Sequence, residues 1–72
     1  SGSVARAVGE KLKKLAADSQ VICITHLAQV ASLADTHLHV NKISGERTVS
    51  VIREIKDEER VNEIARMIAG YK

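Results

Sequence analysis

The sequence predicts an α/β fold, in which helices and strands follow one another in the order α-β-α-β-β-α and form a mixed sheet with flanking helices. Two observations lead to this prediction. One short run, residues 21–25, is apolar nearly throughout and rich in β-branched side chains, as in strands buried between helices. Three other stretches repeat apolar residues at the helical spacing of three and four positions. The chain has 72 residues, which is room for a single domain.

The first helix is predicted at residues 3–17. Its apolar stripe recurs at helical spacing and consists of Val4, Val8, Leu12 and Leu15. The polar pair Asp18 and Ser19 ends the pattern. We therefore expect an amphipathic helix with one face packed on a sheet.

The second predicted element is a strand at residues 21–25. A half-buried antiparallel strand would alternate polar and apolar residues, and this run does not. We therefore expect a strand that is covered on both faces and has parallel neighbours. Few other segments of the chain could run parallel to it, so residues 1–72 are predicted to be one fragment of a larger domain.

A short helix and a hairpin are predicted next. The helix runs from Leu27 to about Asp35, with apolar residues at helical spacing. Two strands follow, residues 37–42 and 47–55, and a Ser-Gly turn at residues 44–45 joins them. Polar and apolar residues alternate over much of the second strand, so one of its faces should be exposed to solvent.

The closing helix has the clearest signals. Acidic residues 57–59 stand where the helix dipole favours negative charge. The apolar stripe consists of Val61, Ile64, Ala65 and Ile68. Gly70 is placed to end the helix.

Composition excludes several classes of protein. Cys23 is the only cysteine, so no internal disulfide can form and a reducing, cytoplasmic compartment is predicted. No block of like charge is long enough to mark a nucleic-acid tail, and no membrane-length apolar run or signal-peptide pattern occurs. Aromatic side chains bury the largest areas, and this chain has only one of them, so its hydrophobic core is predicted to be thin. Because thin cores commonly rely on oligomerisation, and residues 21–25 would leave an uncharged edge, we expect self-association.

His26 is the main candidate for a functional residue. It stands at the carboxyl end of the predicted buried strand, and ligands of α/β sheets bind outside that end. A neutral imidazole there can donate a hydrogen bond to a phosphate oxygen or orient an attacking water. The alternative is a structural cap, which the residue pattern by itself leaves open.

A metal site is not predicted. Cys23 could be combined with His26, or with His37 and His39, but structural zinc requires four ligands and usually paired cysteines. Cys23 is more simply a buried small hydrophobe. His37 and His39 alternate along a strand, so they should share a partly exposed sheet face.

Four segments of the chain together carry a resemblance to a known family: residues 21–31 (VICITHLAQVA), 1–12, 34–37 and 59–70. They resemble the RecN family of bacterial DNA-repair proteins, SMC-like ATPases of the ABC class. Residues 21–31 are similar to the switch-histidine segment of that family. Residues 1–12 resemble the end of its D-loop and the next helix, and residues 34–37 lead into a strand as in the family. Residues 59–70 resemble its closing helix. The match covers essentially the whole chain in register.

The resemblance implies a fold and a site. The chain would be the C-terminal part of a P-loop nucleotide-binding head, which binds ATP and magnesium between two subunits. His26 would be the switch histidine that senses the γ-phosphate and links hydrolysis to head separation. Ser1 and Gly2 would be a remnant of the D-loop that touches the second head, although residues 1–3 also fit an expression scar. Gln29, one helical turn after His26, is a further candidate for facing the nucleotide.

The same resemblance implies that the whole protein repairs DNA double-strand breaks in the bacterial cytoplasm, in association with the nucleoid. The rest of the head and a second head would be its partners, and DNA would be bound through the full-length protein. No direct DNA site is predicted here, because the basic side chains of the first helix spread around it. The family usually carries proline where this chain has Ala28; alanine also starts helices well, so we expect no lost chemistry.

Parts that phosphoryl transfer requires are not found in these residues. There is no G-x-x-x-x-G-K-[ST] phosphate loop, no acidic pair ending an apolar strand to hold magnesium, and no ABC signature segment. We therefore expect the chain alone neither to bind nor to hydrolyse ATP. The alternative function is a small protein-interaction module that binds a partner through an exposed sheet edge or an apolar helix face.

Overall fold

The computed structural model describes residues 2–70. The elements in chain order are α1 (Gly2–Leu15), α2 (Ala28–Ala31), β1 (His37–Ile43), β2 (Val49–Ile55) and α3 (Asp57–Ala69). The prediction that helices and strands are mixed in this chain is confirmed. The predicted mixed sheet is wrong for the described residues, whose sheet contains two antiparallel strands.

Helix α1 forms where the apolar periodicity predicted it and ends two residues earlier. Its buried positions are the small residues Ala5 and Gly9. The larger members of the predicted stripe remain exposed by half or more: Val4, Val8 and Leu15. The described part of the chain therefore covers only a narrow strip of α1 and leaves an apolar face uncovered.

The predicted strand at residues 21–25 does not form. Residues 20–27 have no regular secondary structure, and Ile22 and Ile24 are 82% and 99% exposed. A strand requires a hydrogen-bonded neighbour, and the two strands of this structure already pair with each other. The prediction of a strand at residues 21–25 is therefore wrong for the described residues, although the segment is apolar as the sequence shows.

Helix α2 is shorter than predicted, with four residues in place of about nine. Leu27 is extended, with φ −97° and ψ 119°, and marks its start. The Ser32 amide still donates to the Ala28 carbonyl at 2.9 Å, and turns carry the chain through Leu33 and Ala34. One turn of helix has no stability of its own, so neighbouring elements must hold α2 in place.

The predicted hairpin and closing helix are both confirmed. Strands β1 and β2 pair antiparallel, from His37 opposite Ile55 to Ile43 opposite Val49. The connecting loop covers residues 44–48 and includes the predicted Ser-Gly turn. Helix α3 begins with its three acidic residues and ends at Gly70, whose φ of 83° favours glycine.

The buried residues fall into two small groups. Ala5, Ala28 and Ala31 are buried between α1 and α2, while Ile55 and Glu63 are buried between the hairpin and α3. Among residues 2–70, no helix has the length and apolarity needed to cross a lipid bilayer.

Candidate functional site

His26 lies on the segment that enters α2 and is exposed. The Leu27 amide donates to Thr25 Oγ1 at 3.0 Å across it, which fixes a local turn of the Ser/Thr type. The end of the exposed apolar segment, the turn and the start of α2 are thus adjacent in the chain. The imidazole is accessible to a ligand, as the prediction of a γ-phosphate sensor requires.

Gly2 and Gln29, two of the other predicted site residues, lie close together. A Cβ atom on Gly2 would be 3.3 Å from Gln29 Nε2. Both residues line a shallow groove between α1 and α2, and the apolar lining consists of Val4, Ala5, Val8, Leu27 and Val30. The start of α1 and the exposed side of α2 therefore form one surface. Ser1, the other predicted D-loop residue, lies outside the described residues.

One side of α2 is held by α1. A Cβ atom on Gly9 would lie 3.3 Å from both the Gln29 carbonyl oxygen and Val30 Cα, and 2.9 Å from Leu33 Cδ1. Contacts of 3.3 Å are tighter than most Cβ contacts, so a larger residue at this position would push the two backbones apart by a few tenths of an ångström. Lys13 of α1 also forms an ion pair with an Asp35 carboxylate oxygen just beyond α2.

The other side of α2 is held by α3. Arg60 Nη2 donates to the carbonyl oxygens of Ala34 at 2.6 Å and Ala31 at 3.3 Å. Ala31 is the last residue of α2 and Ala34 lies three residues beyond it. A cation is favoured near carbonyl groups at the C-terminal end of a helix. Sequence reasoning missed Arg60, because an arginine beside three acidic residues is typical of a solvated helix face.

A polar cluster joins the hairpin to α3. The Glu63 side chain is 2% exposed, and its Oε1 accepts from Arg66 Nε at 2.9 Å and Arg66 Nη2 at 2.6 Å. His39 Nε2 lies 3.6 Å from the same oxygen. His37 and His39 are both partly buried on one face of β1, as their alternation predicted. Glu63 was also missed, since a buried carboxylate has no distinct sequence signal.

His37 lies beside this cluster, on the same face of β1 as His39. Its Nδ1 is buried and has no hydrogen-bond partner among the described residues. Burial lowers the pKa of the imidazole below its ordinary value of 6.5; the Arg60 charge lowers it further, Glu63 opposes the shift and His39 adds to it. Folding therefore favours the neutral form of the His37 imidazole over the charged form.

Cys23 is exposed in this structure, so the prediction that it is buried is wrong here. Cys23 lies between Ile22 and Ile24, in a segment that forms no strand and that no other element of the described residues covers. In residues 2–70, no three His, Cys, Asp or Glu side chains are grouped closely enough to hold a metal ion.

Comparison with known proteins finds relatives that match nearly the whole chain. It is 55% identical over 73 residues to DNA repair protein RecN of Halalkalibacterium halodurans, and 51% identical over 73 residues to that of Bacillus subtilis. RecN of Deinococcus radiodurans is 47% identical over 70 residues. These alignments cover 100%, 100% and 96% of this chain. No protein-family model matches it. The resemblance to RecN is therefore confirmed.

The alignments cover much less of the relatives. They span 13%, 13% and 12% of the three RecN proteins. This chain therefore corresponds to a small segment of them. All three relatives are named DNA repair protein RecN.

Proposed function

We propose, from its homology with DNA repair protein RecN along the full chain, that these residues form the C-terminal piece of an ATP-binding head and that His26 senses the ATP γ-phosphate. Head dimerisation, ATP hydrolysis and action on broken DNA belong to the full-length protein under this proposal. That protein would work in the bacterial cytoplasm, with the rest of the head and a second head as partners.

The observation that carries the proposal is the exposed apolar segment that leads directly into His26. Side chains such as Ile22 and Ile24 favour removal from water by about 25 cal/mol per Å² of apolar surface. Neighbouring strands and helices of a larger head would cover them. Burying residues 21–25 in a sheet would place His26 at its carboxyl end, where α/β folds bind ligands.

The residues fit part of a nucleotide site. ATP with magnesium would supply the γ-phosphoryl group and the charge to be sensed. His26 offers an exposed imidazole N–H as one donor to a phosphate oxygen, and Gln29 offers an exposed amide on the next turn. The phosphate loop and the magnesium-binding carboxylates would have to come from the remaining part of the protein, because the 72 residues do not contain these motifs.

The alternative function is a small interaction module. The uncovered face of α1 and the exposed segment 21–25 would suit a protein partner equally well. The identity of 47–55% to RecN proteins favours the ATPase head, because the matching region includes that whole surface. A partner that covers this surface is then the remainder of the same head.

The test is His26→Ala in the full-length protein. Removing one positioned polar group from a site of developing charge commonly lowers turnover by about 10² or more. We expect kcat for ATP hydrolysis to fall by that order, while ATP affinity changes little because other residues bind the phosphates. We expect Gln29→Ala to lower kcat less than His26→Ala does. His39→Ala, on strand β1, is the control. Unchanged turnover in His26→Ala would show that His26 is only a structural cap.

A further inference from the structure

We propose that Arg60 is a positioning residue for His26, because it fixes the end of α2 to α3 and thereby sets the segment on which His26 lies. The inference rests on the proposed function of His26. It deepens that function by naming a residue on a different element through which the switch would be held in place.

Arg60 of α3 contacts the backbone at and just beyond the end of α2. The Arg60 guanidinium donates to two carbonyl oxygens, those of Ala34 and Ala31, at 2.6 and 3.3 Å. Hydrogen bonds from a charged donor are roughly twice as strong as neutral ones. Ala31 is the last residue of α2 and Ala34 lies three residues beyond it, so the end of α2 and the turn that follows it are tied to α3.

Helix α2 depends on contacts with neighbouring elements for its stability. A helix of four residues cannot maintain itself in water. It is held on one side by the close approach of Gly9 and on the other by Arg60. His26 stands two residues before Ala28, the first residue of α2. Any shift of α2 away from α3 therefore moves the backbone that carries the imidazole.

The hydrogen bonds of Arg60 to Ala31 and Ala34 are separate from the other side-chain contacts of α3. Arg53 of β2 donates to both carboxylate oxygens of Glu59, at 2.9 and 2.5 Å, and thus joins the hairpin to α3. Arg66 donates to Glu63 within α3 itself. Within residues 2–70, neither arginine forms a hydrogen bond or ion pair with α2, so Arg53 is a matched control for the loss of a guanidinium near the same helix.

The experiment is a double-mutant cycle in the full-length protein. Arg60→Met keeps the apolar stem and removes the donors. We expect it to lower kcat for ATP hydrolysis roughly 10-fold with little change in KM, within the range for residues that couple to a site from a distance. In the His26→Ala background the same substitution should cause less than about a two-fold further loss, since residues that act as one unit are not additive.

Two further readouts separate positioning from general stability. Arg60→Lys keeps a positive donor and should recover part of kcat, while Arg53→Met should leave kcat at the wild-type level. Without nucleotide, amide hydrogen exchange should accelerate in residues 26–34 of Arg60→Met and stay unchanged in the hairpin. If Arg60→Met does not fold, Arg60→Gln, which keeps a neutral donor, takes its place in the cycle with a smaller expected loss.

The outcomes distinguish the two proposals. If His26→Ala lowers turnover but Arg60→Met lowers it equally in both backgrounds, Arg60 acts independently of His26 and the inference is wrong while the proposed function stands. If His26→Ala alone leaves turnover unchanged, the proposed function fails and the inference fails with it. Non-additive loss, with recovery by Arg60→Lys, supports both.

Discussion

His37 shows how one residue can make the stability of this fold depend on pH. Its imidazole has a pKa below the ordinary value of 6.5, mainly through burial and then through the Arg60 charge. The neighbouring Glu63 carboxylate opposes this shift and the His39 imidazole adds to it. The folded chain consequently binds fewer protons at this residue than the unfolded chain does, in the interval between the lowered pKa and 6.5.

Stability contributed by His37 is thus complete above about pH 6.5 and falls as the pH drops below it. We expect the thermal midpoint of the chain to decrease from pH 7.5 to pH 5.5, and to decrease less in His37→Gln, which cannot titrate. His26→Gln is the matched control and should keep the wild-type decrease, because His26 is exposed. Equal decreases in wild type and His37→Gln would contradict this role of burial.

At the scale of elements, the packing of α1 on α2 depends on Gly9. On an isolated helix, replacing glycine with alanine stabilises by about 1 kcal/mol. Here the new Cβ would be 3.3 Å from backbone atoms of Gln29 and Val30. Overpacking of this kind commonly costs about 1–3 kcal/mol. The contact with α2 should therefore outweigh the gain in helix propensity.

We expect Gly9→Ala to lower the free energy of unfolding by about 1 kcal/mol, which urea unfolding followed by circular dichroism would measure. Gly2→Ala is the matched control, because its Cβ would approach only the movable end of the Gln29 side chain. That control should be close to neutral. A Gly9→Ala chain more stable than wild type would mean that α1 and α2 are not held this closely.

Elements with complete local signals were predicted well from the sequence. Helix α1 has its periodicity, the hairpin has alternation with a turn, and α3 has an acidic first turn and a terminal glycine. Residues 21–25 and α2 were predicted less well, because a strand requires neighbours and a single helical turn requires anchors. Residues 21–25 have an apolar pattern typical of a strand, but no segment among the described residues pairs with them.

Likewise, only part of the candidate site could be predicted from the sequence. The place of His26 shortly before α2 follows from the chain order, so sequence reasoning could single it out, whereas its exposure is known only from the structure. The roles of Arg60 and Glu63 depend on backbone carbonyls and on a hairpin that lie far away in sequence. A charged residue in a charged helix gives no local sign that it is buried or that it binds a carbonyl.

At the scale of the whole molecule, the main feature is the amount of apolar surface left uncovered. Val4 and Val8 on α1 and Ile22 and Ile24 on the following segment are all exposed by half or more. Such a surface on an isolated chain favours association, so we still expect copies to pair at high concentration. In the proposed head the same surface would be covered by the rest of the protein.

Cys23 lies in the middle of this segment and reports directly on whether it is covered. It is the only cysteine of the 72 residues and is exposed here. Its alkylation by iodoacetamide, followed by mass spectrometry of the peptide that contains it, can be compared between the dilute isolated chain and the full-length protein. Ser44→Cys, in the exposed hairpin loop, is the matched control and should react at similar rates in both. We expect Cys23 to react at least about ten-fold more slowly in the full-length protein, because a strand within a sheet reacts only when it opens. Equal rates for Cys23 in the two proteins would contradict the proposal that residues 21–25 form a buried strand of a larger ATP-binding head.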